Sequence, residues 1–295
     1  MKRDQASTLR ERFSSNNSIP SQDQNQEVGV RTLSITSGKG GVGKTNIVIN
    51  LAIQLSKMGK RVFLIDADLG LANIDIMLNL TTRYTIDDVL LGKQNINDII
   101  LEGPSGFHVL PASSGISEMQ ELTAEQQMNM LKALSQLKTK YDYILIDTGA
   151  GIASNVLRFN AAADEIFVVT NTEPTSMTDA YALMKVMSTR YQVRKFNLIV
   201  NQSNIKEAKT VYNRLVAVLN QFLPVSLNLS GCIPRDLMFP EAVKRQTPLS
   251  ILAPNSTAVK MLSELAHNID RNLDRSIHEE EKMSFWERVS NWKRK

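Results

Sequence analysis

Residues 31–47 read Arg-Thr-Leu-Ser-Ile-Thr-Ser-Gly38-Lys39-Gly40-Gly41-Val42-Gly43-Lys44-Thr45-Asn46-Ile47. A short apolar stretch, RTLSIT, runs into a glycine-rich loop, and residues 46–59 leave it with apolar side chains at helical spacing, closing on Gly59. The loop satisfies G-x-x-x-x-G-K-[ST] in the context that gives the pattern meaning, a strand before it and a helix after it. Glycines let backbone amides turn inward around phosphate oxygens, and the following helix adds its positive N-terminus. Lys44 is then expected to reach the β- and γ-phosphates of a nucleotide, and the Thr45 hydroxyl to ligate Mg²⁺.

Working outward, RVFLID (61–66), YDYILID (141–147), DEIFVVTN (164–171) and KFNLIVN (195–201) are further short Val/Ile/Leu strands. Helical stretches lie between them, including 123–140 and 175–191. Continuous apolar strands alternating with helices predict an α/β fold: a single P-loop NTPase domain with a mostly parallel sheet covered by helices on both faces. Residues 30–275 are assigned to this domain. Residues 1–29, polar and rich in Ser, Asn and Gln, are read as a flexible N-terminal segment. Residues 276–295 form a separate C-terminal unit.

Parallel strands gather their C-terminal ends around the ligand, and three carboxylates stand at such ends. Asp147 closes YDYILID and is expected to hold Mg²⁺ through water. Asp66 and Asp68 follow the second strand on one face, where one could position the metal's water shell while the other orients the attacking water. The single cysteine, Cys232, excludes an internal disulfide framework and suits a reducing cytoplasm. Three scattered histidines do not make a metal cage. No apolar run reaches the roughly 18–20 residues that span a bilayer.

The net charge is +4, and residues 282–295 alone carry five basic residues against one acid. The remaining chain sums to zero, so a diffuse basic surface for nucleic acid is not indicated. Wound at about 100° per residue, Phe285, Trp286, Val289 and Trp292 share one arc of this tail. Arg294 lies opposite, and Lys293 lies near the end of the arc, within snorkelling reach of an interface. Aromatic residues on one face with Lys and Arg elsewhere read as an interfacial membrane helix engaging an anionic surface. Docking of the same helix on the protein's own surface is the alternative. At the other end, Ala6, Leu9 and Phe13 form one stripe on a polar leash, suited to insertion in a partner's groove or else an unstructured terminus.

The second lysine near the start of the loop, Lys39, gives Lys39-Gly40-Gly41-Val42-Gly43-Lys44-Thr45. This resembles the deviant Walker A of the MinD/ParA family of dimerising ATPases. Residues 66–75 resemble that family's switch I, 147–151 its switch II, and 170–176 its dimer-facing loop. The resemblance implies that Lys39 crosses the dimer interface to the partner's nucleotide, that Asp68 orients the hydrolytic water, and that Asp66 and Asp147 support Mg²⁺. It further implies ATP contacts from Gly38 to Asn46, a contact of Glu173 with the opposite subunit, and adenine held by Asn201, Pro234, Arg235 and Asp236.

Asp4-Gln5-Ala6-Ser7-Thr8-Leu9-Arg10 matches the D-Q-A-x-x-L-R motif of the flagellar-number regulators of this family, the FlhG, FleN or YlxH group. In that group Asp4, Gln5, Ala6, Leu9 and Arg10 imply stimulation of FlhF, a GTPase of the signal-recognition-particle type. The expectation is therefore an ATP- and Mg²⁺-dependent homodimer, cytoplasmic when monomeric and membrane-associated at a cell pole when dimeric. It would set flagellar number and placement, with flagellar switch components or a transcriptional activator as further partners. Division-site selection, DNA partitioning and a scaffold role with slow ATP turnover are the alternatives.

Overall fold

In the computed structural model the described residues are 30–68, 73–84, 88–89, 91–111, 129, 140–271, 285 and 288. Among them the strands are β1 (Arg31–Ser37), β2 (Val62–Ala67), β3 (Leu101–Glu102), β4 (His108–Leu110), β5 (Tyr143–Ala150), β6 (Glu165–Thr170), β7 (Lys195–Asn201) and β8 (Ser226–Ile233). They form one sheet in the order β3-β4-β2-β5-β1-β6-β7-β8. Every pairing is parallel except β3 with β4 at the edge. The expected α/β class with a mostly parallel sheet is what the chain adopts.

The helices are α1 (Lys44–Lys57), α2 (Ile74–Met77), α3 (Ile96–Ile99), α4 (Ser154–Ala162), α5 (Pro174–Tyr191), α6 (Ile205–Phe222), α7 (Met238–Lys244), α8 (Leu249–Leu252) and α9 (Thr257–Arg271). Side chains of a strand alternate between faces, so neighbouring residues of β5 feed different layers. Leu145 joins α1 and α9 in one core, whereas Ile144 and Ile146 pack with Phe159 and Ala162 of α4 on the other side. A third cluster seats α5 and α6 on β6 and β7 through Leu183, Met187, Leu215, Val168 and Leu198. Burial on both faces explains why these strands read as unbroken apolar runs rather than as polar alternation.

The short strands β3 and β4, the edge strand β8 and the helices after it were not anticipated from the sequence. Of the helix expected at 123–140, only residues 129 and 140 are described. The N-terminal motif residues Asp4, Gln5, Ala6, Leu9 and Arg10 lie outside the described residues, as do Trp286, Val289, Trp292, Lys293 and Arg294 of the tail.

Two tail residues are described, and in this single chain both pack on the protein's own surface. Phe285 is 4% exposed and stacks on Phe159 with ring centroids 6.4 Å apart. Arg288 Nε donates to the Ala162 carbonyl at 2.7 Å and Nη2 to Asp164 Oδ1 at 2.8 Å. The docking alternative therefore holds for these two positions, because the end of α4 offers both an apolar seat and acceptors for a guanidinium. Asp164 also ties this corner to β1, accepting the Thr32 amide at 2.8 Å through its other oxygen. Among the described residues no helix is long and apolar enough to cross a membrane.

Leu145 is fully buried in a central strand, where close packing cannot relax around a void. Leu145→Ala is expected to cost about 2–5 kcal/mol, read as a fall in the urea unfolding midpoint with an unchanged slope.

Candidate nucleotide site

β1 lies between β5 and β6, so the chain leaving β1 enters the sheet's switch point, the position where open α/β sheets bind ligands. The loop there depends on glycine at two places. Gly43 has φ +88°, and a Cβ on it would stand 2.4 Å from Asn201 Nδ2. Gly38 packs so tightly on α5 that a Cβ would meet the Asp179 carbonyl carbon at 2.1 Å. Asn201, at the end of β7, donates from Nδ2 to the Val42 carbonyl at 2.7 Å and so clips the loop to the sheet. Gly43 is the N-cap of α1 and supplies no side-chain cap, which leaves the first-turn amides of a 14-residue helix available to an anion.

Lys44 and Asp147 form a buried pair at 2.5 Å, with side chains 7% and 1% exposed. The Thr45 hydroxyl, on the same first turn, also favours the ionised form of Asp147. Burial pushes the Asp147 carboxyl up, opposed by Lys44 and Thr45, while Asp68 adds a repulsive charge. Asp66 is the direct cross-strand neighbour of Asp147 in the β2–β5 ladder. Burial and then the Asp147 charge raise the Asp66 carboxyl to about 7.

Asp66 Oδ1 accepts the Asp68 amide at 3.0 Å, and Oδ2 accepts the Asn73 and Ile74 amides, each at 3.2 Å. Asp66 thus anchors the backbone on both sides of residues 69–72. Asp68 lies against residues 147–151, since a Cβ on Gly149 would come within 3.4 Å of its Oδ1.

Among the described residues no group of three or more His, Cys, Asp or Glu is gathered for a metal. The donors at hand are the Thr45 hydroxyl and the facing carboxylates Asp147 and Asp66. Hard oxygen donors, few in number, suit Mg²⁺, which keeps several waters when it binds beside phosphates. Two facing carboxylates both raised by burial, Asp66 further by the Asp147 charge and Asp147 by that of Asp68, are also the charge arrangement that a cation relieves.

Lys39 and Glu173, 134 residues apart, meet within one chain: Lys39 Nζ bonds Glu173 Oε2 at 2.7 Å and Thr175 Oγ1 at 3.1 Å. The lysine holds the exposed Glu173 carboxyl below its ordinary range. Thr175 joins this contact although only its place in residues 170–176 marked it beforehand.

On the base side, Asn201 is 5% exposed and its Oδ1 is buried without a hydrogen-bond partner. Ile233 is tied to the turn after β7 through Ser203 N, at 3.1 Å. Beyond it, Pro234 is half-buried, Arg235 is exposed, and Asp236 Oδ1 accepts the Met238 amide at 2.9 Å in the turn that enters α7. Asn201 and residues 234–236 therefore stand at the ends of the adjacent strands β7 and β8.

An AAA domain family model matches residues 30–203. Antiactivator FleN of Pseudomonas aeruginosa is 38% identical over 242 residues, covering 82% of this chain and 86% of that protein. The flagellum site-determining protein YlxH of Helicobacter pylori is 32% identical over 262 residues, 87% of this chain and 88% of that one. Among solved structures, the septum site-determining protein MinD of Pyrococcus horikoshii, complexed with Mg-ADP, aligns with a TM-score of 0.64 and 26% identity, over 82% of this chain and 96% of that one. Together with the fold and the phosphate loop, these matches make the chain a P-loop protein of the MinD/ParA ATPase family. Within the family it resembles the FleN and YlxH group.

Removing one partner of the Lys44–Asp147 pair strands a buried carboxylate. Lys44→Met is expected to destabilise the nucleotide-free protein by about 3–5 kcal/mol. In chemical denaturation the Lys44→Met/Asp147→Leu pair should recover more than half of that loss.

Proposed function

We propose that this chain is an ATP-dependent, dimerising ATPase that sets flagellar number and placement. The names of its FleN and YlxH relatives support the cellular role. The observation that carries the mechanism is the contact of Lys39 with Glu173 and Thr175 in its own chain.

The amides of Gly38–Thr45 and the Lys44 ammonium bind the phosphates. Asn201 Oδ1, a buried acceptor, takes the exocyclic amine of adenine; the carbonyl that guanine presents at the same position could not donate to it. Thr45 and Asp147 would hold Mg²⁺, with Asp66 beside them, and the ion supplies neutralisation of phosphate charge.

ATP draws two monomers together, and Lys39 exchanges Glu173 for the phosphates bound by the second copy. A cation delivered there stabilises charge in the transition state. Asp68 accepts a hydrogen bond from water and aims it at the γ-phosphorus. The water oxygen bonds to phosphorus as the bond from the β–γ bridging oxygen to the γ-phosphorus breaks, a water proton passing to a γ-phosphate oxygen, giving ADP and inorganic phosphate; loss of that phosphate returns the chain to the monomer with Lys39 on Glu173.

The docked Phe285 and Arg288 hold the tail in the monomer, and dimer formation frees it. Phe285, Trp286, Val289 and Trp292 then enter an anionic membrane surface, with Lys293 and Arg294 at the headgroups. One such helix binds weakly, whereas two on one dimer gain from effective concentration. Asp4, Gln5, Ala6, Leu9 and Arg10 stimulate the FlhF GTPase.

DNA partitioning is the second reading. In its favour, residues 174–222 carry seven Lys and Arg against two Asp and Glu, although the chain outside its tail is neutral. Salt-sensitive DNA binding by the ATP-loaded protein would move the assignment there.

Size-exclusion chromatography with ATP should give monomers for Lys39→Ala, which loses its bridging cation, and a persistent dimer for Asp68→Ala, with ATP turnover reduced at least about a hundredfold. An Asp68→Ala protein that turns over ATP at the wild-type rate removes the catalytic assignment. In sedimentation with anionic vesicles, Arg288→Ala should bind without ATP, because its tail is unlatched, while truncation after residue 282 should not bind at all. A peptide of residues 1–29 should raise FlhF GTP hydrolysis, and an Asp4→Ala/Leu9→Ala version should not.

A further inference from the structure

Three polar side chains of α1 point away from the phosphate loop and converge on one residue in the layer above. Ser250, in α8, is fully buried. Its amide donates to Asn50 Oδ1 at 2.7 Å, its hydroxyl accepts from Gln54 Nε2 at 2.9 Å, and its carbonyl accepts from Lys57 Nζ at 3.2 Å. Positions 50, 54 and 57 follow helical spacing and lie on one stripe. Asn50 and Gln54 are 1% and 6% exposed, surrounded by the largest apolar cluster of the molecule. The Asn50 amide nitrogen is bonded in turn to the Asn46 carbonyl at 2.7 Å, one turn closer to the loop.

Apolar side chains would fill this contact at lower desolvation cost, and they would permit sliding. Hydrogen bonds from three side chains to the amide, hydroxyl and carbonyl of one residue do not, because each has a fixed length and direction. What the contact holds in place is the segment that follows the base side of the site. Residues 234–236 lead from β8 into α7, Asp236 bonds the first amide of that helix, and α8 follows it. The same segment touches the switch region, since Gln246 Nε2 donates to the Ile76 carbonyl of α2 at 2.8 Å. One end of residues 234–252 is therefore fixed by β8 and the other by the helix that forms the phosphate site.

We infer that Asn50, Gln54 and Ser250 are positioning residues for the nucleotide base: they lock the base-binding segment 234–236 in register with the phosphate loop through α1. The inference rests on the assignment of Asn201 and residues 234–236 to adenine. None of the three touches the nucleotide; they act by setting the distance between two halves of its site. A base held out of register with its phosphates costs affinity only for ligands that have both.

The test is the ratio of affinities for Mg-ATP and for Mg-tripolyphosphate, which carries the phosphates without the base. Asn50→Ala and Ser250→Ala should bind Mg-ATP about tenfold more weakly while tripolyphosphate affinity stays within about twofold, and the preference for ATP over GTP should narrow. The Gln54→Met/Ser250→Ala pair strands no buried donor and reads the same ratio should a single variant fail to fold. Equal losses for ATP and tripolyphosphate, or an unchanged ratio, would overturn the positioning role and leave the contact a matter of stability. A wild-type protein that binds tripolyphosphate as tightly as ATP would instead overturn the adenine assignment, and the inference with it.

Discussion

A carboxylate at the end of a central parallel strand is expensive to bury, and Asp147 is 1% exposed. Its compensation organises the molecule. Lys44 neutralises it, Thr45 favours its ionised form, and both come from the first turn of α1, so the helix must start where the loop after β1 delivers it. Placing β1 next to β5 brings the two halves of this pair together from residues 103 apart in sequence. Breaking a buried ion pair is far more costly than never having made it, which ties the loop's conformation to the integrity of the sheet.

Asp66 adds a second constraint at the same place. Its charge opposes that of Asp147 across one ladder rung, and three backbone amides offset the conflict. Those amides belong to residues on either side of the switch segment 69–72. Asp66, itself one of the oxygen donors at hand for a metal, is thus also the anchor of the backbone that flanks residues 69–72.

Much of the site was legible in the sequence because its chemistry is local. The loop 38–45 needs glycines at fixed offsets and a lysine and a hydroxyl on the following turn, so its spacing identifies it. Strands buried on both faces announce themselves as apolar runs, and Asp66 and Asp147 stand at the ends of two of them. The two-residue β3 and three-residue β4 are too short to show a period. β8, SLNLSGCI, is an edge strand whose first half leaves Ser226 and Asn228 exposed, so it lacks the apolar run by which the others were read. The tail illustrates a subtler limit. Periodicity singled out Phe285 as part of an apolar face, but such a face is equally suited to a bilayer or to Phe159. The pattern carries no information about which surface covers it.

The sequence by itself determined the phosphate loop, the carboxylates at the strand ends and the α/β class, since each follows from short-range spacing and side-chain chemistry. Only the tertiary structure decided which distant groups meet. Lys39 lies on Glu173, Ser250 is gripped by Asn50 and Gln54, and Arg288 is bonded to Asp164, at separations of more than a hundred residues. Such contacts depend on strand order and helix placement, which balance packing over the whole sheet, and no local pattern in the chain encodes them.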